Sequence, residues 1–447
     1  MFRSRQITGA LASLAAGTLA VTIAGAAVPA LAATPNAVTG NPANGTPQLS
    51  PNGHIEQVRQ LVQCGRRMYA VGKFTRISQG GKVFKRRNAF SFKATAPYTV
   101  SSWRPGVNGE VNSIAFKHGD CSSAFLGGSF SRVHGKRAHN IVKVNTSTGA
   151  RRKKFARRAD KAVETIVVHG RHVLVGGFFT AINGSGRNYY ASLNSRTGHD
   201  DRYLRLRISG HYVFPGVSAN RTRIYNQQLS RHGKRLLVEG DFTSVRGKHR
   251  EQIFMLNLRR TQARVSRWRS AEFLQSCATD EPFYIHDAAW SPDSKTVYTA
   301  ATGGQPFNIS TSDPRSGLCD AAAAFPSSAR RVHHIWVNYT GCDSLYSTIA
   351  DRHTAYFAGH ERWANNSNGC NEAGPGAIPA QGMVGLRPSD GSVIFNPTRS
   401  QGLGADDMLL TSAGLWIASD NFIDSNGTRA DKCAKQTGHA GICFLPY

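Results

Sequence analysis

The sequence predicts an all-β protein, a seven-bladed β-propeller of four-stranded antiparallel blades that is closed by the N-terminal segment. Two observations predict this fold. A phrase built on glycine and phenylalanine recurs along the chain, and a repeat of nearly fixed period indicates an array of similar units. The segments between its copies are short, rich in β-forming residues and bounded by Gly, Asn, Ser and Thr, and no segment keeps a helical period.

The repeated phrase is clear in four copies and degenerate in three. Each clear copy has a glycine two residues before a phenylalanine and an apolar residue three positions after it. The anchoring glycines are Gly72, Gly128, Gly177 and Gly240. Degenerate copies follow at residues 297–304, 356–360 and 415–422. Seven copies predict seven blades.

The second unit shows how the strands are assigned. Residues 111–116 form the first predicted strand, residues 124–126 the second and residues 139–145 the third, and a fourth ends at Phe155. The glycine inside the second strand predicts a bulge or a close approach of two backbones. Phe130, two residues after Gly128, points to the same side of the strand, where we expect it to fill the wedge between blades. A phosphate-binding loop is excluded because the strand–loop–helix context and its Lys-Ser/Thr pair are missing.

The two ends of the chain have distinct predicted roles. Arg3 and Arg5 precede an apolar stretch that ends in Ala30-Leu31-Ala32, which is typical of a secretory signal peptide over residues 1–32. We therefore expect a secreted, extracellular protein with one propeller domain over residues 33–447. Its clear repeats span residues 54–270 and its degenerate repeats residues 280–447. A membrane anchor is the alternative for the first segment, and no later stretch is apolar enough to span a membrane.

The last repeat unit leads us to expect that the N-terminal segment closes the ring of blades. The last unit stops where the other units place a third strand. We expect residues 35–50 to supply its fourth strand, which removes the exposed edges of an open array.

Charge divides the chain into two unlike parts. Residues 1–279 hold 44 Lys and Arg against 11 Asp and Glu, and residues 280–447 hold 11 against 16. A strongly basic part attracts polyanions, so we expect an anionic polymer or a cell-envelope component as partner. A merely solvated basic surface is the alternative. The densest run predicts a polyanion-binding segment at Arg151, Arg152, Lys153, Lys154, Arg157 and Arg158.

All eight cysteines follow the predicted signal peptide, and an even number in an exported chain predicts disulfides. Eight cysteines allow 105 pairings, and the positions of the cysteines within the repeat units reduce the number of plausible pairings. Cys64 and Cys121 precede equivalent glycines in neighbouring units, and Cys433 and Cys443 share the last unit. The remaining sequential pairs are Cys277 with Cys319 and Cys342 with Cys370. The sequence contains no C-x-x-C spacing, which argues against a zinc site.

The phrase x-Gly-Gly-x-Phe-Thr-x-Val-x-Gly, with its Asn-x-x-Thr-Gly ending, resembles the delta-60 repeat propellers of secreted bacterial proteins. The resemblance covers residues 69–268. In the second half, Trp290-Ser291-Pro292-Asp293 is similar to the hairpin of TolB-like and lactonase-like propellers, with a tight turn at Pro292-Asp293. The resemblance implies a fold and a location outside the cytoplasm, and it implies no catalytic residues.

Candidate ligand-binding residues come from aligning the first strands of the units. The residue after the first apolar position should line the axial channel of a propeller, where polar groups of several blades converge. These residues are Glu56, Asn112, Glu164, His286, His333 and Asp407. Asn226-Gln227 and Asp406 are further candidates whose register the alignment leaves open, and Asp287 and His334, adjacent in sequence to His286 and His333, could also belong to this ring. Two carboxylates and two histidines suit a divalent metal or a ligand, and a water-filled polar channel is the alternative.

These patterns favour a non-catalytic binding or scaffold module over an enzyme. No Ser-His-Asp, H-E-x-x-H, G-x-S-x-G or EF-hand motif is present in the sequence, so we predict neither catalytic residues nor a resident cofactor. A hydrolase, lyase or lactonase that uses a channel metal is the alternative. Trp103, Trp268 and Trp363, each beside an arginine, could stack on sugars or pack between blades. No nucleic-acid module is recognised, and we expect a monomer.

Overall fold

Antiparallel strands form nearly all the regular structure of the computed structural model, and its described residues contain no α-helix, only a 3₁₀ turn at Ala271–Phe273. The described residues are 37–155, 158–212, 221–274, 277, 283–304, 317–397, 403–422, 433 and 436–447. The predicted signal peptide and Arg157 lie outside them.

Seven antiparallel sheets follow the seven sequence repeats in order, and we name them sheets 1 to 7. In each sheet the strands lie side by side in chain order, beginning with the strand that we call the inner strand. The strands are Gln57–Cys64, Arg67–Lys73 and Ala89–Lys93 in sheet 1; Glu110–Lys117, Asp120–Ser129 and Ile141–Asn145 in sheet 2; Val163–His169, His172–Gly177 and Tyr190–Asn194 in sheet 3; Arg223–Leu229, Arg235–Asp241, Ile253–Asn257 and Arg264–Val265 in sheet 4; Ile285–Trp290, Thr296–Ala301, Ala321–Pro326 and Trp336–Tyr339 in sheet 5; Leu345–Ala350, Ala355–Gly359, Val384–Leu386 and Val393–Phe395 in sheet 6; and Asp407–Thr411, Gly414–Ala418 and Ile442–Pro446 in sheet 7.

Short hairpins follow the second strands of several sheets. The first of them also pairs with the N-terminal strand Gln48–Leu49, and the fourth pairs with Ile208–Ser209. Their strands are Arg76–Gln79 and Lys82–Lys85; Arg132–Val133 and Lys136–Arg137; Ala181–Ile182 and Ser185–Gly186; Ser244–Val245 and Lys248–His249; and Trp363–Ala364 and Ile378–Pro379.

The prediction of four strands in every sheet is wrong for sheets 1 to 3. Their fourth edge is a single bridge each, Phe92 to Val100, Val144 to Arg151 and Leu193 to Asp200. The predicted strand ending at Phe155 is therefore one bridged residue, and Phe155 instead packs its ring against Phe125. Tight turns at residues 146–149 and 195–198 redirect the chain, so that only one residue returns to the ladder in each case.

The seven sheets contact one another in chain order, and the last also contacts the first. Each inner strand packs against the next, and Asp407–Thr411 of sheet 7 packs against Gln57–Cys64 of sheet 1. One apolar cluster lies between each pair of neighbouring sheets, and the cluster between sheets 7 and 1 joins Trp416 to Phe92. The protein is a β-propeller, as the sequence predicts, and the blade number of seven stays a prediction that these contacts support.

The N-terminal segment lies along the outer edge of sheet 7. Thr39 N donates to Pro446 O at 2.7 Å, and Ala43 N donates to Phe444 O at 2.8 Å. The segment's described residues, 37–50, form no regular strand there, and the two of them that are in a strand, Gln48–Leu49, pair with the hairpin of sheet 1. The N-terminal segment therefore bridges sheets 7 and 1, and the expected fourth strand is two isolated hydrogen bonds.

The repeated glycine lies opposite a bulge in the inner strand. Gly72 pairs with Val58, and the next ladder pair skips Arg59. A Cβ on Gly72 would lie 2.0 Å from Gln57 O, which no side chain tolerates. The same close approach recurs at Gly128, Gly177, Gly240 and Gly359. The glycine thus permits the bulge, and the following phenylalanine is buried in all four clear copies, at Phe74, Phe130, Phe179 and Phe242.

Four disulfides join the cysteines in the pairs that position favours. Cys64–Cys121 links sheets 1 and 2, and Cys433–Cys443 lies in the last repeat. The other two are Cys277–Cys319 and Cys342–Cys370. The Pro292-Asp293 turn also forms as expected, with Asp293 Oδ1 accepting from Ser291 Oγ at 2.6 Å and from Lys295 N at 3.0 Å.

Candidate functional site

A bulge in the inner strand of sheets 1 to 6 turns one side chain per sheet towards a shared cavity. The bulged residue is skipped in each ladder, as the register shifts show. In sheet 7, Asp406 takes the corresponding place directly before the inner strand. These residues, which we call the bulge residues, are Arg59, Asn112, Glu164, Tyr225, His286, Tyr346 and Asp406, and all of them line the cavity.

The residue after each bulge holds neighbouring inner strands together. Gln60 Oε1 accepts from Ile114 N at 2.7 Å, and Asp287 Oδ2 accepts from Thr348 N at 2.7 Å. Asp407 Oδ2 accepts from Leu61 N at 2.9 Å. The last contact joins sheet 7 to sheet 1 in the same way as the others join consecutive sheets, so Asp407 serves the packing of the propeller as well as lining the cavity.

The cavity lies at the end of the inner strands where the hairpins begin. Its volume is about 360 Å³, near the lower end of the range of about 300–1,000 Å³ that small-molecule sites span. Its lining includes Glu110 and Arg223, the first residues of two inner strands, Ser129, the last residue of a second strand, and Phe178, which directly follows another. Because the hairpins continue from the second strands, the cavity and the hairpins share one face, which we call the hairpin face.

Arg223 occupies the centre of an aromatic group at the cavity. Its guanidinium carbon lies 5.2 Å from the ring centre of Phe178, 5.3 Å from that of Tyr225 and 5.6 Å from that of Tyr284. Such cation–π contacts hold a guanidinium in place without neutralising its charge. No carboxylate of the described residues forms an ion pair with Arg223, so its charge is left for the cavity.

Arg59 lies between two carboxylates. Its Nε donates to Glu110 Oε1 at 2.9 Å, and its Nη1 donates to Asp406 Oδ1 at 3.0 Å. Glu164 Oε2 accepts from Asn112 Nδ2 at 2.9 Å. The second oxygen of Asp406 is buried without a partner among the described residues. The cavity of this basic protein therefore holds several carboxyl groups beside its two arginines.

Burial changes the protonation of several groups in the cavity. It raises the pKa of Asp406 to about 7, against the smaller opposing effect of Arg59, and it raises the pKa of Asp287 to about 7. It raises the pKa of Glu164, which the charge of Arg223 opposes. Burial lowers the pKa of His286 to about 4, although the hydrogen bond to Tyr346 O opposes this. His286 is therefore neutral at pH 7, with Nδ1–H donating and Nε2 a free acceptor.

Four of the six predicted channel residues come together in the cavity. Asn112, Glu164 and His286 are bulge residues, and Asp407 lies one residue beyond the bulge position. Asn226 and Asp287 also line it. A binding role for these residues stays a prediction. Sequence alignment missed Arg59, Tyr225 and Tyr346, and it left the register of Asp406 open, because the spacing between bulge and glycine varies with the length of the intervening turn.

Glu56 was wrongly placed in the channel. The alignment counts Ile55 as the first apolar residue of the unit, whereas Val58 pairs with Gly72 and Arg59 is the bulge residue. Glu56 instead fixes the start of the hairpin, with Oε1 accepting from Thr75 N and Thr75 Oγ1 at 2.7 Å each. Asp160 makes the same kind of contact with Thr180 N at 2.9 Å in sheet 3.

His333 was also wrongly placed in the channel. Residue 333 precedes Trp336–Tyr339, the fourth strand of sheet 5, and the inner strand of sheet 6 begins only at Leu345. The His333 side chain is 86% exposed and its Nδ1 lies 3.2 Å from Glu272 Oε1. His334 shares this carboxylate, with Nδ1 2.7 Å from Oε2. A long segment between the second and third strands of sheet 5 displaced the alignment by one strand.

The predicted metal ligands do not assemble. Two of the four expected donors, Glu56 and His333, lie away from the cavity, and the Nδ1 atom of His286 is used by Tyr346 O. Within the part of the chain that the structure describes, His, Cys, Asp and Glu form no group of three or more suited to a metal ion. The donor set therefore gives no support to a metal-assisted hydrolase, lyase or lactonase.

The predicted basic segment lies at the outer edge between sheets 2 and 3. Arg152, Lys153, Lys154 and Arg158 are exposed, and Arg151 is half-buried with Nη1 donating to Arg137 O. Among the aromatic candidates, Trp103 and Trp268 are buried, and their Nε1 atoms donate to Asn145 O and Pro326 O. These two tryptophans pack between sheets and offer no face to a sugar.

Comparisons with known proteins concern the fold. No protein-family model matches the chain, and no curated protein does. Among solved structures, Sqt1 from Saccharomyces cerevisiae is similar with a TM-score of 0.47 at 8% identity, covering 90% of this chain and 98% of that chain. The WD40 β-propeller domain of Doa1 gives 0.41 at 10% identity, covering 83% and 94%.

No helix among the described residues is long and apolar enough to cross a membrane.

Proposed function

We propose that this chain is a secreted β-propeller binding module that holds an anionic polymer, such as a cell-envelope polymer, on the hairpin face of sheets 1 to 4. The observation that carries the proposal is the set of exposed basic side chains on these hairpins. Arg76, Lys82 and Lys85 lie on the first hairpin, Lys136 and Arg137 on the second and Lys248 on the fourth.

The hairpin cations are free of acidic partners. None of the ion pairs found among the described residues includes one of these six side chains. Unpaired cations spaced around one face attract a polyanion by releasing its counterions, without reading a sequence. The exposed part of the segment Arg151, Arg152, Lys153, Lys154 and Arg158 extends this positive surface to the outer edge.

In sheet 6, by contrast, the arginine beside the hairpin is neutralised by a carboxylate. Arg362, beside its hairpin, donates to both oxygens of Asp343, at 2.8 Å from Nε and 2.7 Å from Nη2. Residues 280–447, which include sheets 5 to 7, hold more acidic than basic groups. In sheet 3, Arg187 beside the hairpin is also paired, with Asp200 at 2.6 Å, so the unpaired hairpin cations lie on sheets 1, 2 and 4. We propose that the polymer lies over sheets 1 to 4 for this reason. Extracellular location, membership of the delta-60 repeat propellers and a monomeric state remain part of the proposal.

The test is polymer binding over a salt series. Heparin, a teichoic-type polymer and DNA are titrated with the chain and with the fourfold variant K82Q/K85Q/K136Q/R137Q. We expect the wild type to bind with a steep salt dependence. For B-DNA, each phosphate that a side chain no longer neutralises reduces the slope of log K against log salt by about 0.9. The variant should therefore bind DNA with a slope smaller by about 2 to 4.

The matched control is K295Q/R352Q, which removes two exposed cations from turns on the opposite face of sheets 5 and 6. Its binding and slope should equal those of the wild type. Absent binding, binding insensitive to salt, or an equal loss in the control would each contradict the proposal.

A further inference from the structure

We propose that the cavity on the propeller axis binds one acidic sugar unit, a pyranose-sized ring that carries a carboxylate or a phosphate. The site uses the bulge residues and Arg223, none of which belongs to the hairpin cations. The inference therefore stands apart from the proposed polymer surface, and either can fail alone.

The lining offers acceptors to hydroxyl groups. Glu164 uses one carboxylate oxygen for Asn112, and Asp406 keeps a buried oxygen without a partner among the described residues. His286 donates through Nδ1 to Tyr346 O, which leaves Nε2 as an acceptor. A buried acceptor without a donor is costly. Sugar hydroxyls both donate and accept hydrogen bonds, so one of them would give the buried Asp406 oxygen a partner in either protonation state. Others would donate to Glu164 and to His286.

Arg223 supplies a positive charge that can bind an acidic group of the ligand. The guanidinium is fixed by the rings of Phe178, Tyr225 and Tyr284 at 5.2 to 5.6 Å and has no ion-pair partner among the described residues. A planar guanidinium recognises a carboxylate or phosphate with two parallel hydrogen bonds. One fixed cation beside several acceptors therefore selects a ligand with a single acidic group and several hydroxyls.

The size and walls of the cavity agree with a single ring. A volume of about 360 Å³ admits one sugar unit with its water. Aromatic side chains form part of the wall, at Phe178, Tyr225, Tyr284 and Tyr346, and such faces pack against the C–H groups of a sugar ring. Longer oligomers would have to extend from the cavity onto the hairpin face.

The bulge position carries unlike polar side chains from sheet to sheet. The residue before it is apolar in all seven sheets, from Val58 to Ala405, and buried. The bulge residues comprise one arginine, one asparagine, two acids, two tyrosines and one histidine. If this position served packing alone, we would expect the same residue type in every repeat. A set of unlike polar groups around one cavity instead indicates an asymmetric ligand.

The experiment is titration calorimetry of the full chain with glucuronate, glucose 6-phosphate, glucose and glucosamine. We expect at least one of the two acids to bind more tightly than glucose, and the comparison of the two identifies the acidic group. Arg223→Gln should weaken binding of the acid about tenfold or more, the loss of a charge-assisted hydrogen bond, with glucose binding held within about twofold. Glu164→Gln should weaken the acids and glucose alike.

Arg221→Gln is the matched control, since Arg221 is exposed, is two residues away and does not line the cavity. It should bind like the wild type. If Arg223→Gln does not fold, Arg223→Lys keeps the charge without the planar fork and should still lose affinity for the acid. Binding of none of these sugars, tightest binding of glucosamine, or equal loss of acid and glucose in Arg223→Gln would overturn the proposal.

The two sites should respond separately to substitution. The fourfold hairpin variant should bind the acidic monosaccharide like the wild type, and Arg223→Gln should keep the salt-dependent binding of polymers. Loss of both activities in both variants would contradict the assignment of separate sites.

Discussion

At the scale of single residues, one glycine per repeat determines where the bulge residue can point. Gly128 lies opposite Val111, and its missing side chain lets Glu110 O approach the second strand. The bulge that results places Asn112 in the cavity. The repeated glycine is therefore a packing requirement, and the site lies in the residues that vary opposite it.

Replacing Gly128 by Ala should destabilise the protein. The new Cβ would lie 2.1 Å from Glu110 O, and relieving such an overlap in a packed strand costs about 1–3 kcal/mol. A melting temperature measured by calorimetry is the readout. Gly186→Ala is the control because nothing lies within 4 Å of its added Cβ, and equal melting temperatures of the two variants would contradict this account of the repeat.

Asp406 should make stability depend on pH. Its pKa is raised by burial from 3.8 to about 7 in the folded chain, so the folded state binds the proton more tightly than the unfolded state. The stability that this adds is present below about pH 4 and is lost as the pH rises through about 7. As the pH rises from about 4 to about 7, the free energy of unfolding of Asp406→Asn should therefore increase relative to that of the wild type.

Denaturant unfolding of both proteins at a series of pH values from about 5 to about 8 measures this difference. Asp390→Asn serves as the control, because Asp390 is an exposed carboxyl on a turn of sheet 6 whose pKa is lowered by Ser392. Between about pH 5 and pH 8 the control should follow the wild type. Parallel curves for Asp406→Asn and the wild type over the same interval would show that Asp406 does not titrate there.

At the scale of the elements, the sequence predicted the sheets better than their edges. Repeats located all seven inner pairs of strands, including the three degenerate copies. The single bridges that take the place of fourth strands in sheets 1 to 3 were not predictable. After the turns at 146–149 and 195–198 only one residue pairs with the third strand, and the sequence does not distinguish one bridged residue from a short strand. The predicted channel residues depended on register. Ile55 and Val58 are both apolar, and only pairing with Gly72 distinguishes them.

The disulfide between sheets 1 and 2 should stabilise the protein more than the disulfide of the last repeat. Cys64–Cys121 closes 57 residues and Cys433–Cys443 closes 10. Loop-closure entropy corresponds to about 4 kcal/mol for the longer loop and about 3 kcal/mol for the shorter one. Calorimetry of C64A/C121A and of C433A/C443A compares them. A larger drop in melting temperature for C433A/C443A would contradict the entropic account.

At the scale of the whole molecule, two features meet on one face. The propeller brings the starts of the inner strands and the basic hairpins of sheets 1, 2 and 4 to the same end. The cavity there is rich in acceptors, while the surrounding hairpins are cationic. The net charge of +28 predicted an anionic partner but not its place, because the face of a charged residue depends on strand direction and hairpin length.

Hydrogen–deuterium exchange of the full chain with and without a heparin fragment tests the central claim most directly, because it locates the polymer on the surface. We predict slower exchange at the hairpins Arg76–Gln79, Lys82–Lys85, Lys136–Arg137 and Lys248–His249, and no change at the opposite turns around residues 291–296 and 351–354. Protection confined to those opposite turns, or no protection at any of these segments at saturating fragment, would contradict a polymer-binding hairpin face.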